Sequence, residues 1–211
     1  MSVTLIIIII TGLVSYTAFT NGEIMDKMIF YPPAISRDKQ WYRFFSNGLL
    51  HADFGHLLFN MLSLYMFGEL VEDKFKEIFN DKGTLLYLIM YITALAVCLL
   101  PTYFDNKDNY HYRSLGASGA VSAVVFAGIF LYPLNEIGLF FIPPIIPGFI
   151  FAPIYLFISA YLSKRGGDHI NHSAHIWGSI YGVAFTIIAC LAFSDFRPVS
   201  SFLDQILSYF S

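Results

Sequence analysis

The sequence predicts an all-α fold, a polytopic membrane protein built as a six-helix transmembrane bundle. Of its 211 residues, 56% are hydrophobic and only 13% are charged, which is far from the composition of an ordinary soluble domain. Apolar stretches recur along the chain, each close to the roughly 20 residues that a helix needs to cross a bilayer. They lie at about residues 3–20, 52–71, 84–103, 115–133, 147–163 and 172–193. Charged residues are concentrated between them, which indicates a single membrane domain over residues 1–211.

The first stretch is expected to be a retained helix and not a signal peptide. It lacks the Lys or Arg that opens a signal peptide, and it is long enough to span a bilayer. The connection that follows, residues 21–51, is the longest in the chain. It mixes Pro32 and Pro33 with aromatic and charged residues, which favours an interfacial, partly embedded loop.

The later elements are bounded by charge and by proline. The run EDKFKEIFNDK after the second stretch is expected to be a solvated loop. The fifth helix is expected to begin near Pro147 and to carry an irregularity at Pro153, because proline lacks the N–H that a helix needs. The tail SSFLDQILSYFS has an amphipathic pattern, which predicts a surface helix or an extension of the sixth helix.

Charge and cysteine content exclude several classes of function. The net charge of -3 is too small to indicate a nucleic-acid partner. Cys98 and Cys190 both lie inside apolar stretches, and no Cys-x-x-Cys metal spacing is present. We therefore expect no metal, no cofactor and no nucleic acid, with the lipid bilayer as the surroundings.

Four polar side chains lie where a bilayer makes them costly, which marks each as a candidate for function. His56 and Asn60 share one face of the second helix, Ser118 begins the fourth, and His175 lies near the start of the sixth. In a six-helix bundle these three helices cross in the same direction, so the four groups form one shallow layer. A serine, a base and hydrogen-bond donors in one layer are what serine hydrolysis requires.

Glycines near these residues predict close helix packing. The fourth helix opens with the sequence GASG, in which Gly116 and Gly119 flank the serine, and the sixth carries Gly178 and Gly182 on the face that His175 begins. Small residues at this spacing let membrane helices approach closely. We expect this approach to bring Ser118 and His175 within hydrogen-bond distance.

The stretches YRFFSNGLLHADFGHLLFN, GASG and AHIWGSIYG resemble the rhomboid intramembrane serine proteases, over most of the chain from Arg43 to about Gly182. The resemblance implies a dyad in which Ser118 is the nucleophile and His175 is the general base. Further roles are implied for three groups of residues: His56 and Asn60 as oxyanion donors with the backbone, His51, Arg43 and Glu72 as braces of the long first loop, and Phe59 and Phe157 as candidate gate residues.

Two positions depart from the family pattern. Familiar bacterial members carry a tyrosine four residues after the nucleophile, which stacks on the catalytic histidine, whereas this chain has Ser122. Another group must therefore hold the His175 ring. Trp177 stands where a smaller residue is common.

The resemblance also implies the substrate and the orientation. Expected substrates are single-pass membrane proteins, cut in a segment of weak helix propensity.

The expected location is the cell (inner) membrane, with the active site towards the outer face. The positive-inside rule favours the reverse, because eight cations precede the even-numbered helices and four lie on the other side. The eight are Lys27, Arg37, Lys39, Arg43, Lys107, Arg113, Lys164 and Arg165; the four are Lys74, Lys76, Lys82 and Arg197.

Several alternatives stay open. Ser118 alone is typical of a packing residue, and the histidines alone are typical of interhelical bonds or a proton relay. A non-catalytic rhomboid-like protein that binds membrane helices usually lacks the serine or histidine, and a small proton-coupled transporter should show repeats that this sequence lacks. His169, His172 and His175 form a possible metal pattern, but at 100° per residue the third leaves the shared face.

Overall fold

A computed structural model describes residues 1–139, 142–167 and 170–211 of the chain, and it shows a membrane bundle that is helical apart from one short β-hairpin. In this described part, three helical segments are long and apolar enough to cross a membrane: Val3–Thr20, Phe54–Asn106 and His172–Phe193. Ser118–Leu131 is a shorter apolar helix. All six predicted stretches are mainly helical, whereas the number of membrane crossings stays a prediction.

The first helix, α1 (Val3–Thr20), has the predicted bounds and begins where the Ser2 side chain caps it. The connection after it is largely helical, which its proline content did not indicate. It contains α2 (Gly22–Met28), α3 (Pro32–Asp38), α4 (Arg43–Ser46) and a 3-10 turn at Asn47–Leu49. The two prolines do not break α3, because they occupy its first turn, where a missing N–H removes no intrahelical bond.

The second long helix, α5 (Phe54–Phe79), runs two turns beyond the predicted end, so the expectation of a solvated loop directly after residue 71 is wrong. Glu and Lys are good helix formers, and pairs such as Glu72–Lys76 at i,i+4 support the extension. The helix ends only at Asn80, whose φ of 51° leaves the helical region.

The predicted third helix is divided into α6 (Gly83–Val97) and α7 (Leu100–Asn106). Pro101 accounts for the break, because its ring nitrogen has no N–H to donate to the carbonyl four residues earlier, at Val97, where α6 ends. The chain then runs through an irregular segment to α8 (Ser118–Leu131), where Ser118 is the first helical residue.

After α8 comes a short antiparallel hairpin of β1 (Glu136–Leu139) and β2 (Ile142–Pro147), which the sequence did not indicate. The fifth long helix, α9 (Gly148–Arg165), continues through Pro153. The sixth, α10 (His172–Phe193), has the predicted bounds, and α11 (Pro198–Tyr209) is a separate helix.

Helix α8 occupies the centre of the bundle. Nearly all of its residues are buried, and it packs against α5, α6 and above all α10. The contact with α10 is made backbone to backbone: a Cβ added at Gly178 would lie 2.0 Å from the Gly119 carbonyl oxygen, and one at Gly182 would lie 2.0 Å from that of Ala123. The predicted glycine seam therefore places the start of α10 beside the start of α8.

Candidate active site

The serine that the sequence singled out lies half-buried at the first residue of α8, directly after a tight turn. Gly116 makes this turn with a φ of 119°, a backbone conformation that side chains disfavour. A Cβ on Gly116 would also lie 2.9 Å from Cε1 of His56. Glycine at this position thus allows both the turn and the close approach of His56 to the start of α8.

His175 meets the serine across the seam between α8 and α10. Its Nε2 lies 2.8 Å from Ser118 Oγ, a normal hydrogen-bond distance. His175 is on the first turn of α10, and its neighbour Ala174 presents a carbonyl oxygen towards Gly119. The position of the imidazole therefore depends on the same close helix contact that the glycines allow.

The first turn of α8 offers backbone donors beside the serine. No side chain caps this helix, and its first N–H groups have no acceptor four residues earlier. The positive end of the helix dipole lies at the same place. A carbonyl oxygen that gains negative charge near Ser118 Oγ would meet the N–H groups of Ser118 and Gly119.

His56 presents a third donor to this region. Its Nδ1 accepts a hydrogen bond from the backbone N–H of Ala52 at 3.4 Å, which assigns the ring proton of the neutral imidazole to Nε2. That Nε2 would lie 3.2 Å from a Cβ on Gly116, so it faces the turn before the serine. Asn60 is buried and donates one amide N–H to the His56 carbonyl at 2.9 Å, which leaves its second N–H for another acceptor.

Two of the predicted bracing residues hold the connection between α1 and α5. The buried Arg43 guanidinium donates to the carbonyls of Asp26 at 2.9 Å and Ile29 at 2.7 Å. His51 is fully buried, and its Nδ1 lies 2.9 Å from the hydroxyl of Ser15, which itself donates to the Leu49 carbonyl. These bonds tie the loop to α1 and to itself.

Burial has an electrostatic consequence for His51. Loss of water lowers the pKa of its imidazole to about 3, and the neighbouring His56, whose ring centroid is 4.9 Å away, contributes in the same direction. His51 is therefore neutral at physiological pH. Its ring packs edge-on against His56, so it also limits the positions that the His56 ring can take.

Glu72 does not brace this loop, and the expectation that it does is wrong. It lies near the other end of α5, where its buried carboxylate accepts the N–H groups of Val3 at 3.1 Å and Thr4 at 2.9 Å. Lys76 pairs with it at 3.0 Å. Glu72 thus caps the first turn of α1, because the orphan N–H groups of a helix start need acceptors.

The two candidate gate aromatics are both exposed at the edge of the bundle. Phe59 on α5 is 46% exposed and Phe157 on α9 is 75% exposed. Trp177, on α10, also points outwards. A gating role for Phe59 and Phe157 stays a prediction.

One residue at the site was not found from the sequence. The Tyr155 hydroxyl on α9 lies 3.2 Å from Nδ1 of His175, on the side of the ring opposite Ser118. The only signal was indirect, since Ser122 left the histidine without its expected aromatic neighbour.

His172 also lies beside His175, with ring centroids 5.9 Å apart, whereas His169 of the metal pattern falls outside the described residues.

Comparisons with known proteins point to one family. A family model described as the rhomboid domain matches residues 38–192. RHOMBOID-like protein 12, mitochondrial, of Arabidopsis thaliana is 31% identical over 138 residues, which cover 61% of this chain and 40% of that protein. The putative rhomboid protease YdcA of Bacillus subtilis is 29% identical over 71% of this chain and 67% of its own length. Rhomboid protease GlpG of Haemophilus influenzae is 27% identical over 76% of both chains. The match thus spans only about two fifths of the Arabidopsis protein.

Proposed function

This chain belongs to the rhomboid family, and from that premise we propose that it is an intramembrane serine endopeptidase with a Ser118–His175 dyad. The observation that carries the proposal is the 2.8 Å separation of Ser118 Oγ and His175 Nε2. A nucleophile and a base within hydrogen-bond reach are the signature of an activated serine. Non-catalytic binding by a family member would not need this pair.

The geometry supports an acyl-transfer mechanism. Ser118 Oγ attacks the scissile carbonyl carbon while its proton passes to His175 Nε2. The carbonyl oxygen becomes an oxyanion, which the backbone N–H groups at the start of α8 and the Nε2–H of His56 can stabilise. His175 then protonates the leaving amine, and a water molecule, deprotonated by His175, releases the acyl group from Ser118. Asn60 is proposed as a further donor through its second amide N–H.

The length of α8 supports cleavage below the membrane surface. Its 14 residues make a helix about 21 Å long, compared with about 30 Å for the hydrocarbon core. If Leu131 lies at one boundary, Ser118 lies about 9 Å below the other. We accordingly propose transmembrane segments of single-pass proteins as substrates, with weak helix propensity at the cut so that the backbone can extend.

The orientation of the site is a separate proposal. We propose that the loops before α5, α8 and α10 face the outside of the cell, although the count of cations favours the reverse. Single cysteines at Asn106 and Asn80, in a variant lacking Cys98 and Cys190, test it in intact cells with an impermeant thiol reagent. Labelling at Asn106 alone supports an outward-facing site, whereas labelling at Asn80 alone moves the site to the cytoplasmic face.

The central experiment is labelling of the purified protein with a fluorophosphonate, followed by cleavage of a transmembrane test substrate. We expect labelling at Ser118, and we expect both labelling and cleavage to be lost in Ser118→Ala and His175→Ala while the proteins stay folded. Ser208→Ala, which removes an exposed hydroxyl on α11, is the matched control and should be labelled like wild type. Proteolysis that persists in either dyad variant would refute the mechanism.

A further inference from the structure

We propose that Tyr155 is a positioning residue for the general base, holding the His175 ring from the side away from Ser118. This inference rests on the proposed function and assigns a role that the motif residues do not cover. The Tyr155 hydroxyl is 3.2 Å from His175 Nδ1, and Ser118 Oγ is 2.8 Å from Nε2. Both nitrogens of the ring are thus held, one by the nucleophile and one by the phenol.

The direction of these two bonds follows from what a base must do. His175 can take the serine proton only if Nε2 carries a lone pair, so in the neutral ring the proton must be on Nδ1. Nδ1–H then donates to the Tyr155 oxygen, and the Ser118 hydroxyl donates to Nε2. When the serine proton moves to Nε2, the imidazolium keeps its Nδ1 proton and Tyr155 keeps its own. The phenol therefore fixes the tautomer and the ring angle without itself changing protonation state.

Two serine hydroxyls near Tyr155 are candidate acceptors for its own proton. The hydroxyls of Ser122 on α8 and Ser159 on α9 lie within interaction range of the phenol oxygen. If the tyrosine donates to one of them, its oxygen lone pairs face Nδ1–H. If it donated to Nδ1 instead, the ring would carry its proton on Nε2, and Ser118 would have no base.

Packing holds the phenol in this position. The Tyr155 ring stacks on Phe151, with centroids 5.7 Å apart, and is tilted against Phe126 of α8 at 5.6 Å. Aromatic contacts of this kind restrict the ring beyond simple burial. The small Ser122 side chain, which stands where a tyrosine of the fourth helix is expected, leaves the space on α8 that Tyr155 approaches from α9. In this chain the contact with His175 Nδ1 thus comes from α9.

The test compares Tyr155→Phe with Tyr161→Phe, which makes the same change at an exposed site on the same helix. We measure kcat and KM on a transmembrane test substrate, and we record 15N spectra of the histidine rings in detergent, with His175→Ala identifying its signals. For Tyr155→Phe we expect a fall in kcat of about tenfold with KM unchanged, as for one neutral hydrogen bond. The His175 signals should move towards the tautomer protonated on Nε2. Tyr161→Phe should match wild type in both measurements.

The results for these variants separate a positioning role of Tyr155 from a purely structural one. If Tyr155→Phe keeps the kcat and the ring tautomer of Tyr161→Phe, the positioning role is refuted. If Tyr155→Phe does not fold, Ser122→Ala and Ser159→Ala replace it; together they should move the tautomer in the same direction, and an unchanged spectrum refutes the role. If wild-type protein cleaves nothing but the tautomer still shifts in Tyr155→Phe, the contact is supported and the proposed function fails alone.

Discussion

Replacing Gly178 with alanine tests whether the dyad depends on the contact between α8 and α10. The new Cβ would lie 2.0 Å from the carbonyl oxygen of Gly119 and 2.9 Å from its carbon. A carbon normally stays about 3.3 Å or more from such an oxygen. Both neighbours are backbone atoms that no rotamer change can move, so the helices must separate locally by about 1.3 Å.

This displacement acts directly on the site. Gly119 follows Ser118 on α8, and His175 lies one turn before Gly178 on α10. A shift of about 1.3 Å along the line of the 2.8 Å hydrogen bond would lengthen it to about 4.1 Å, which is beyond hydrogen-bond range. Misplacement of this size lowers turnover by about 10²-fold, and overpacking destabilises a protein by about 1–3 kcal/mol.

The assay combines thermal unfolding in detergent with the rate of fluorophosphonate labelling. Gly12→Ala is the control for the change itself, because its Cβ would meet nothing within 4 Å on α1. Gly182→Ala creates an equal clash one turn further from the dyad and should lower the melting temperature similarly, with a smaller effect on labelling. A Gly178→Ala protein that melts like wild type and is labelled at the wild-type rate would refute the close-packing argument.

Three further predictions concern the oxyanion donors and the structural residues. His56→Ala should lower kcat by about 10²-fold. Asn60→Ala should lower it by less, because one Asn60 N–H is already bonded to a carbonyl within α5. If both variants keep the wild-type kcat, neither residue stabilises the oxyanion. His51 is neutral in the folded protein, where its pKa is about 3, compared with 6.5 in the unfolded chain. Its contribution to stability is therefore complete above pH 6.5 and is lost as the pH falls towards 3. At pH 5 the loss is about 2 kcal/mol, and His51→Asn should show a shallower fall in denaturant midpoint between pH 7 and pH 5. Glu72→Gln should destabilise the protein by about 1–3 kcal/mol because it weakens the charged cap of α1, whereas the same change at the exposed Glu77 should leave the melting temperature unchanged.

The sequence alone determined the features that depend on local pattern. The bounds of α1 and α10 follow from the length of an apolar stretch and its flanking residues, since a bilayer demands about 20 apolar residues whatever the partners are. The approach of Ser118 and His175 followed from glycines at helical spacing. Helix period fixes which residues share a face, so a seam of small residues can be read before any packing is known.

Only the tertiary structure decided which side chains meet across large distances in the chain. Glu72 caps the first turn of α1, although it lies 69 residues after Val3 in the chain. The family resemblance implied that Glu72 braces the first loop, and it carried no information about the start of α1. Tyr155 reaches His175 because α9 packs beside α10, and nothing in the local sequence of α9 distinguishes it from the exposed Tyr161. The physical reason is that hydrogen bonds depend on distance and angle between helices, and these are set by the summed packing of the whole bundle rather than by any one segment.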